Sequence, residues 1–218
     1  MVKRVQVIGR GRVGGAFAAR LGDRGVLVDT AADLVVLCVP DRAITEVAAA
    51  LPPGPWVCHV SGATPLASLL PHERRFSLHP LQTFTTTRGA EQIDGAWAAV
   101  TATTALGRDV ARQLATLLGL RPFDLADDRR VIYHVGAVMA SNYMVTLFRA
   151  AARALGKADV PVEALIPLMT RTIENGFDLT GPIARGDTAT VEAHIGALRR
   201  DLPDLEPMYR ALAEVTQP

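Results

Sequence analysis

Residues 1–125 alternate short apolar runs with stretches of helical periodicity. Val5–Ile8 is a short apolar run that predicts a buried strand. In residues 11–21 the apolar side chains of Val13, Phe17 and Leu21 recur with small residues between them, which predicts a helix packed closely on a sheet. The same two patterns predict further strands at 33–40, 56–60, 76–78, 98–102 and 121–125, and helices at 44–51 and 107–118. Such alternation is typical of a mostly parallel sheet covered on both faces.

The strand pattern ends at the polar segment 126–129. Beyond it, helical periodicity predicts helices at 130–155, 162–175, 188–199 and 205–215. The chain is therefore expected to hold an α/β domain over residues 1–127 and an all-helical domain over residues 128–218.

One predicted helix contains an uncharged run, residues 131–148, that approaches the length needed to span a membrane. It carries His134, Ser141 and Asn142, and charged sequence flanks it on both sides. These polar side chains favour a central buried helix over a membrane span. The first apolar run of the chain is too short for a secretory signal, so no membrane partner is expected.

Composition narrows the classes of partner. The chain is 49% hydrophobic and 21% charged with a net charge of +1, as in a globular protein. This balance gives no electrostatic basis for binding nucleic acid or an anionic surface. The two cysteines, Cys38 and Cys58, lie in β-branched apolar runs, which favours buried thiols over a disulfide and fits a reducing, cytoplasmic location.

A glycine motif follows the first predicted strand. The run Gly9-Arg10-Gly11-Arg12-Val13-Gly14 matches G-x-G-x-x-G between a strand and a helix. In that setting the first glycine makes a tight turn, the second lets a pyrophosphate approach the backbone, and the third lets the helix lie close to the strand. The helix N-terminus adds free N–H groups and the positive end of a dipole. The motif predicts a Rossmann-like nucleotide site, and the alternative is a glycine-rich turn without a ligand.

The acidic residue that normally completes this motif would be Asp29, which lies 20 positions after Gly9 and ends the apolar run 26–28. However, the next strand starts near Leu34, and two parallel strands usually need a crossover of about a dozen residues. The two apolar runs are therefore not expected to be parallel strands of one sheet. The predicted fold is a truncated Rossmann-like, mostly parallel α/β sheet that lacks the adenosine-side strand and helix, followed by an all-helical C-terminal domain.

Polar residues follow three of the predicted strands, at the sheet edge where ligands bind in open α/β folds. They are Val39-Pro40-Asp41, His59-Val60-Ser61-Gly62 and His79-Pro80. Either His79 donates a proton near neutral pH, or it is a loop histidine held by the backbone. Asp41 and Ser61 are candidate site residues as well, with a helix cap or a turn as the structural alternative.

The helical part also carries candidate site residues. His134, Ser141 and Asn142 are spaced i, i+7 and i+8, so an α-helix would place them on one face. They would serve there either as substrate-binding groups or as a buried polar network. Further along, Asp187 is placed to cap the next helix, and Arg185 is a candidate to hold an anionic substrate.

Together these motifs resemble the 6-phosphogluconate-dehydrogenase-like superfamily, and within it an uncharacterised branch in which a Rossmann domain is joined to a helical domain. More distant relatives in this resemblance are ketopantoate reductase, pyrroline-carboxylate reductase and hydroxyisobutyrate dehydrogenase. The matching segments span most of the chain: Gly9–Gly15, Val39–Asp41, His59–Ala63, Ser77–Leu81, Tyr133-His134, Ser141–Tyr143, and Leu179–Asp187 with His194.

The resemblance implies an enzyme that uses NADP or NAD to reduce a small carbonyl or imine, and a homodimer formed through the helical domain. Residues 9–14 would hold the dinucleotide, and the nicotinamide would lie near Val39, Pro40, Asp41 and Ser61. The implied catalytic residues are His79, His134 and Asn142, the implied substrate-binding residues are Ser141 and Arg185, and no metal is implied. Two other functions stay open from the residues: a non-redox protein that binds a mononucleotide or another phosphorylated ligand, and a structural or dimerisation module.

Overall fold

The computed structural model describes residues 2–216, and the chain divides into two compact units, Met1–Met139 and Ala140–Pro218. The strands of the first unit are β1 (Arg4–Ile8), β2 (Leu27–Val28), β3 (Leu34–Leu37), β4 (Trp56–His59), β5 (Arg75–Leu81), β6 (Trp97–Ala102) and β7 (Arg121–Asp124). They form one sheet in the order β2-β1-β3-β4-β5-β6-β7, in which only the β5–β6 pair is antiparallel. This confirms the Rossmann-like, mostly parallel sheet predicted from the apolar runs.

Helices cover both faces of this sheet. The helices of the first unit are α1 (Arg12–Asp23), α2 (Ile44–Ala49), α3 (Ala105–Leu118) and α4 (Arg130–Val138). Val36 of β3 lies in one buried cluster with Phe17 of α1 and Leu114 of α3. Its neighbour Leu37 lies in a second buried cluster with Ile44 of α2. Because successive strand residues point to opposite faces, the two clusters are the cores on the two sides of the sheet.

The structure corrects the expectation that the adenosine-side strand is missing. β2 pairs parallel with β1 on the side opposite to β3, and Val5 of β1 pairs with both Val28 of β2 and Leu34 of β3. The two-residue β2 therefore ends at the level where β3 begins, so the chain does not have to run back along the sheet and residues 29–33 suffice for the connection. This connection contains no helix, and Asp29 lies directly at the carboxyl end of β2, where the glycine motif expects an acidic residue.

The second unit is helical, as predicted. Its helices are α5 (Met144–Lys157), α6 (Leu165–Glu174), α7 (Gly181–Ala184), α8 (Thr188–Asp201) and α9 (Glu206–Val215), and a π-helical segment, Met139–Tyr143, precedes α5. The Asp187 carboxylate accepts a hydrogen bond from the Thr190 backbone N–H at 3.0 Å, which confirms the predicted N-cap of α8. Among the described residues of this unit, the buried apolar side chains are Leu165, Ile195 and Leu202. One copy of the chain therefore leaves most of the apolar surface of this unit uncovered.

The helical segment Asp127–Lys157 is long and apolar enough to cross a membrane by length and composition, which alone is weak evidence for a span. None of its most apolar window is buried, so the expectation of a central buried helix is wrong for a single copy of the chain. Val131, Ile132 and Met139 are exposed, whereas Arg130 at the start of α4 is buried.

Candidate functional site

The glycine turn connects the carboxyl end of β1 to α1. Gly9 has a φ of +93°, and a Cβ there would overlap the carbonyl oxygen of Cys38. A Cβ on Gly14 would overlap the carbonyl oxygen of Gly9. These two glycines are thus required by the close approach of turn, helix and strand. By contrast, a Cβ on Gly11 would meet none of the described atoms within 4 Å, so the middle of the turn faces open space.

The first turn of α1 has the chemistry of an anion site. Gly11 is the N-cap, and among residues 2–216 no side chain caps it. The backbone N–H groups of Arg12, Val13 and Gly14 have no acceptor within the helix. The side chains of Arg10 and Arg12 are exposed beside them. Free amides, the positive helix end and two guanidinium groups fit the pyrophosphate of a dinucleotide.

A hydrogen bond joins Ser61 to Asp41 beyond the ends of β3 and β4. Val39 and Pro40 lead from β3 to Asp41, which is exposed. Ser61 Oγ donates to Asp41 Oδ2 at 2.7 Å and lies 2.8 Å from Thr64 Oγ1. The same oxygen accepts the backbone N–H groups of Ala63 at 3.3 Å and Thr64 at 3.0 Å. Since these contacts occupy the hydroxyl, Ser61 orients Asp41 and the turn that follows.

Arg130 is a buried residue of this region that the sequence did not single out. It begins α4, and its side chain is 1% exposed. Its guanidinium donates to the carbonyl oxygen of Ser61, to Ser77 Oγ at 2.5 Å and to Thr101 Oγ1 at 3.0 Å. Its Nε lies 3.9 Å from Asp127 Oδ1. Arg130 thereby ties the loop after β4 to β5, to β6 and to the short 3-10 helix Asp127–Arg129 that precedes α4.

These contacts also explain where the compact units divide. The strands end at Asp124, close to the predicted boundary between residues 127 and 128, yet the first unit extends to Met139. α4 belongs to the first unit because its first residue, Arg130, is bonded to three elements of the sheet region. An arginine that opens an otherwise uncharged helix was the available signal in the sequence.

Three side chains come together around Gly62, which follows β4. His79 of β5 shares a 2.7 Å hydrogen bond between its Nδ1 and the hydroxyl of Tyr133 on α4. The rings of His79 and His134 meet edge to face with centroids 5.8 Å apart. A Cβ on Gly62 would lie 2.5 Å from His134 Cδ2 and 2.9 Å from His79 Nε2. The absence of a side chain at Gly62 therefore leaves room for both imidazoles.

Burial and nearby positive charge lower the pKa values of two imidazoles, His79 and His59. Burial, followed by His134 and Arg130, lowers the pKa of His79 to about 4, against a smaller opposing effect of Asp41. Burial also raises the pKa of the Tyr133 hydroxyl to about 12. His59 at the end of β4 is fully buried, and burial lowers its pKa to about 3. At neutral pH, then, His79 is an uncharged imidazole whose Nδ1 is engaged with a neutral phenol.

His59 has a structural contact that the sequence did not predict. Its Nδ1 accepts the backbone N–H of Ser61 at 3.3 Å, which helps to hold the loop after β4. Its Nε2 is buried and makes no hydrogen bond to any of the described residues.

The described part of the chain contains no group of three or more His, Cys, Asp or Glu side chains that could hold a metal ion. Cys38 and Cys58 are free thiols, with Cys58 buried in β4.

The other predicted site residues lie in the second unit. Ser141 Oγ donates to Asn142 Oδ1 at 3.2 Å, and Asn142 and Arg185 are exposed. The shared face predicted for His134, Ser141 and Asn142 assumed α-helical spacing, and the π-helical segment Met139–Tyr143 breaks that spacing. His194 on α8 shares a 2.7 Å hydrogen bond between its Nδ1 and the hydroxyl of Tyr209.

The mostly parallel sheet followed by a helical second unit is a fold that this chain shares with solved structures of oxidoreductases. A family model described as Domain of unknown function (DUF2520) matches residues 96–216, which is more than half of the chain. The chain therefore belongs to this family. The comparison with curated proteins found no match.

Several solved structures superpose on most of this chain. BF3122 from Bacteroides fragilis, provisionally designated an NADP oxidoreductase, superposes with a TM-score of 0.82 at 20% identity over 97% of this chain and 96% of that one. Protein TM1727 from Thermotoga maritima gives 0.74 at 22% identity over 97% and 96%. The 1-pyrroline-5-carboxylate reductase of Streptococcus pyogenes gives 0.62 at 15% identity over 97% and 95%. At these identities the likeness shows the fold, which confirms the resemblance to pyrroline-carboxylate reductase at that level.

Proposed function

We propose that this protein is an NAD(P)-dependent oxidoreductase that reduces a small carbonyl or imine. The observation that carries the proposal is the uncapped start of α1, where Gly11 faces open space beside exposed Arg10 and Arg12. The same unit of the chain carries Asp41 and His79, which follow or lie on strands of the same sheet. Open α/β sheets bind ligands at this edge.

Each part of the turn has a role in holding the cofactor. The backbone amides of residues 11–14 bind the pyrophosphate, with Arg10 and Arg12 supplying further positive charge. Val39, Pro40 and Asp41 border the nicotinamide, which supplies a hydride when it is bound. Asp29 at the end of β2 accepts hydrogen bonds from the ribose hydroxyls, a role that favours NAD because its carboxylate would repel a 2′-phosphate.

Each unit has its own candidate substrate groups. In the first unit these are the imidazole groups of His79 and His134. In the second unit they are the hydrogen-bonding side chains of Ser141 and Asn142 and the positive charge of Arg185, which suits a carboxylate. A small 2-oxo acid or a cyclic imine has the matching chemistry. The two free thiols suit the reducing cytoplasm.

We also propose a homodimer through the helical unit. The large apolar residues that this unit exposes have no cover in a single copy: Tyr143, Val145, Leu147, Ile166, Leu168, Ile173, Phe177 and Leu179. A second copy would bury this surface with identical chemistry on both sides. Light scattering coupled to size exclusion tests it: a dimeric mass that becomes monomeric when Leu168 and Ile173 are replaced by Asp supports the proposal, and a monomeric wild type rejects it.

Hydride transfer is the direct test of the function. NADH and NADPH are each offered with a panel of 2-oxo acids and cyclic imines, and loss of dihydronicotinamide absorbance is followed. Calorimetry measures cofactor affinity independently of turnover. Binding together with turnover of at least one substrate is expected. No turnover with any pair, together with no heat of cofactor binding, would reject the proposal.

A second candidate function is supported by the short connection between β2 and β3. Because residues 29–33 form no helix, the adenosine side of the site has less cover than in a full Rossmann domain. A non-redox protein that binds a mononucleotide or another phosphorylated ligand would need only the glycine turn. Thermal stabilisation by a mononucleotide, with none by NADH or NADPH, would favour this function over the oxidoreductase.

A further inference from the structure

Tyr133 lies directly behind His79. Its hydroxyl is 2.7 Å from His79 Nδ1, and the two rings meet edge to face with centroids 5.5 Å apart. The other ring nitrogen, Nε2, lies close to Gly62 and makes no hydrogen bond to any of the described residues. It is not among the fully buried unpartnered side-chain atoms of the described residues, which are His59 Nε2, Arg75 Nε and Arg130 Nε. His79 therefore has a proton-bearing partner on one nitrogen and an approachable nitrogen on the other.

The ionisable groups around His79 and its burial determine the charge state of its imidazole. His134 and Tyr133 of α4 and Arg130 at the start of that helix lie on one side, and His59 of β4 and Asp41 after β3 are the other ionisable neighbours. Burial and the positive groups outweigh Asp41, and the pKa of His79 falls to about 4. At pH 7 only about one molecule in a thousand would carry an imidazolium there, so the neutral imidazole is the predominant form of His79.

We propose that Tyr133 is the proton donor of the reduction and that neutral His79 passes the proton on. The inference rests on the oxidoreductase function proposed above. In the resting state the Tyr133 O–H donates to Nδ1, and the Nε2–H of His79 faces the substrate oxygen or nitrogen. Tyr133 thus acts through His79, and the imidazole remains uncharged before and after the step.

The reduction adds a hydride to a carbon and a proton to the oxygen or nitrogen bonded to it. The substrate C=O or C=N carbon would gain the hydride with the electron pair of a C–H bond that breaks in the reduced nicotinamide, and the π electrons of the substrate bond move to its oxygen or nitrogen. This atom forms a bond to the proton of His79 Nε2 as the Nε2–H bond breaks. At the same time Nδ1 forms a bond to the Tyr133 proton as the phenolic O–H bond breaks. The phenolate left behind is stabilised by the nearby Arg130 guanidinium. After product leaves, the phenolate takes the proton back from Nδ1 as Nε2 takes a proton from water, and the hydroxide passes to solvent, which restores the resting state.

Arg130 can stabilise the negative charge that develops on the Tyr133 oxygen. Its charge favours the ionised form of Tyr133, opposing the effect of burial on the pKa of the hydroxyl. It is held rigidly by bonds to Ser61, Ser77 and Thr101, so little rearrangement is needed when charge develops on the phenol. Arg130 is a positioning residue in this scheme, and His79 is the group that contacts substrate.

Tyr133→Phe is the decisive variant, and Tyr209→Phe is its matched control. Both remove a hydroxyl that is 2.7 Å from a histidine Nδ1, but Tyr209 pairs with His194 in the second unit. Tyr133→Phe is expected to lower kcat by about 10²–10⁴-fold with little change in NADH affinity, whereas Tyr209→Phe keeps kcat within about twofold. Wild-type kcat is expected to show no titration near pH 6.5.

Nitrogen-15 NMR of the imidazole groups gives a readout that needs no turnover. In the wild type we expect His79 in the Nε2–H tautomer and neutral at pH 6, and in Tyr133→Phe we expect this tautomer preference to be lost. An Nδ1–H tautomer in the wild type would overturn the relay, because Tyr133 would then be an acceptor. Full activity of Tyr133→Phe would overturn the relay alone. A wild type that neither binds cofactor nor turns over would overturn the oxidoreductase function and the relay together.

Discussion

Replacing Gly11 with alanine adds one methyl group where the glycine turn faces open space. The φ of Gly11 is −69°, which any residue adopts, and none of the described atoms lies within 4 Å of the new Cβ. Alanine is a poorer N-cap than glycine, by about 1 kcal/mol at most. The variant is therefore expected to fold, with a slightly lower free energy of unfolding.

The same methyl group occupies the volume through which a pyrophosphate must approach the first-turn N–H groups of α1. A hydrogen bond to a charged group contributes about 1.5–3 kcal/mol. Loss of one such bond corresponds to a rise in Kd of about 10- to 150-fold. We expect a weakening in this range for both NADH and NADPH, because the pyrophosphate is common to them.

Calorimetry measures Kd, and thermal unfolding shows whether the variant is folded. Gly22→Ala is the matched control, since it adds the same methyl group to α1 where no described atom lies within 4 Å, and its Kd should equal that of the wild type. Gly14→Ala is the opposite case: its Cβ would overlap the Gly9 carbonyl oxygen, so it should lower Tm. A folded Gly11→Ala protein with wild-type cofactor affinity would refute the assignment of the turn as a phosphate site.

Three further outcomes can be measured on the same protein. Asp29→Ser is expected to weaken NADH binding by about tenfold or more while NADPH binding stays equal or improves; an unchanged ratio of the two Kd values contradicts the ribose role. Arg130→Met should lower the free energy of unfolding in urea by about 3 kcal/mol because it leaves buried acceptors unpaired, whereas Arg129→Met, at a side chain 72% exposed, should change it by less than about 0.5 kcal/mol. Burial lowers the folded-state pKa of His59 to about 3 and of His79 to about 4, while the unfolded chain takes up these protons near pH 6.5. Stability should therefore fall as the pH drops from about 7 towards 4, and a Tm that stays flat over this range would contradict it.

The apolar runs were sufficient to predict most of the sheet. A continuous aliphatic run such as Leu34–Leu37 is buried on both faces, and it has this pattern because helices lie on both sides. Helix ends were likewise predictable where a cap has a recognisable side chain, as at Asp187. Such signals are local, and they work because each element is specified by its own residues.

The prediction for Leu27–Val28 was wrong because a general rule on crossover length was applied to a strand of unusual length. The rule assumes that the chain must return along the whole strand before it pairs again. Here β2 stops level with Val5, where β3 begins, so no return is needed. The strand length is a tertiary property, set by pairing with β1, and the local sequence does not encode where that pairing ends.

The chemistry of His79 depends on residues that no spacing rule connects to it. The sequence identified the imidazole, but not its tyrosine partner or its charge state, since both follow from where α4 begins. That start is fixed by Arg130, whose guanidinium bonds to Ser61, Ser77 and Thr101 hold the first turn against the strands. Tyr133 follows within one helical turn and so comes to lie 2.7 Å from Nδ1 of His79. The same buried guanidinium helps to keep the imidazole uncharged. One arginine therefore positions the tyrosine partner of His79 and adds, after burial and His134, to the effects that lower the pKa of the imidazole.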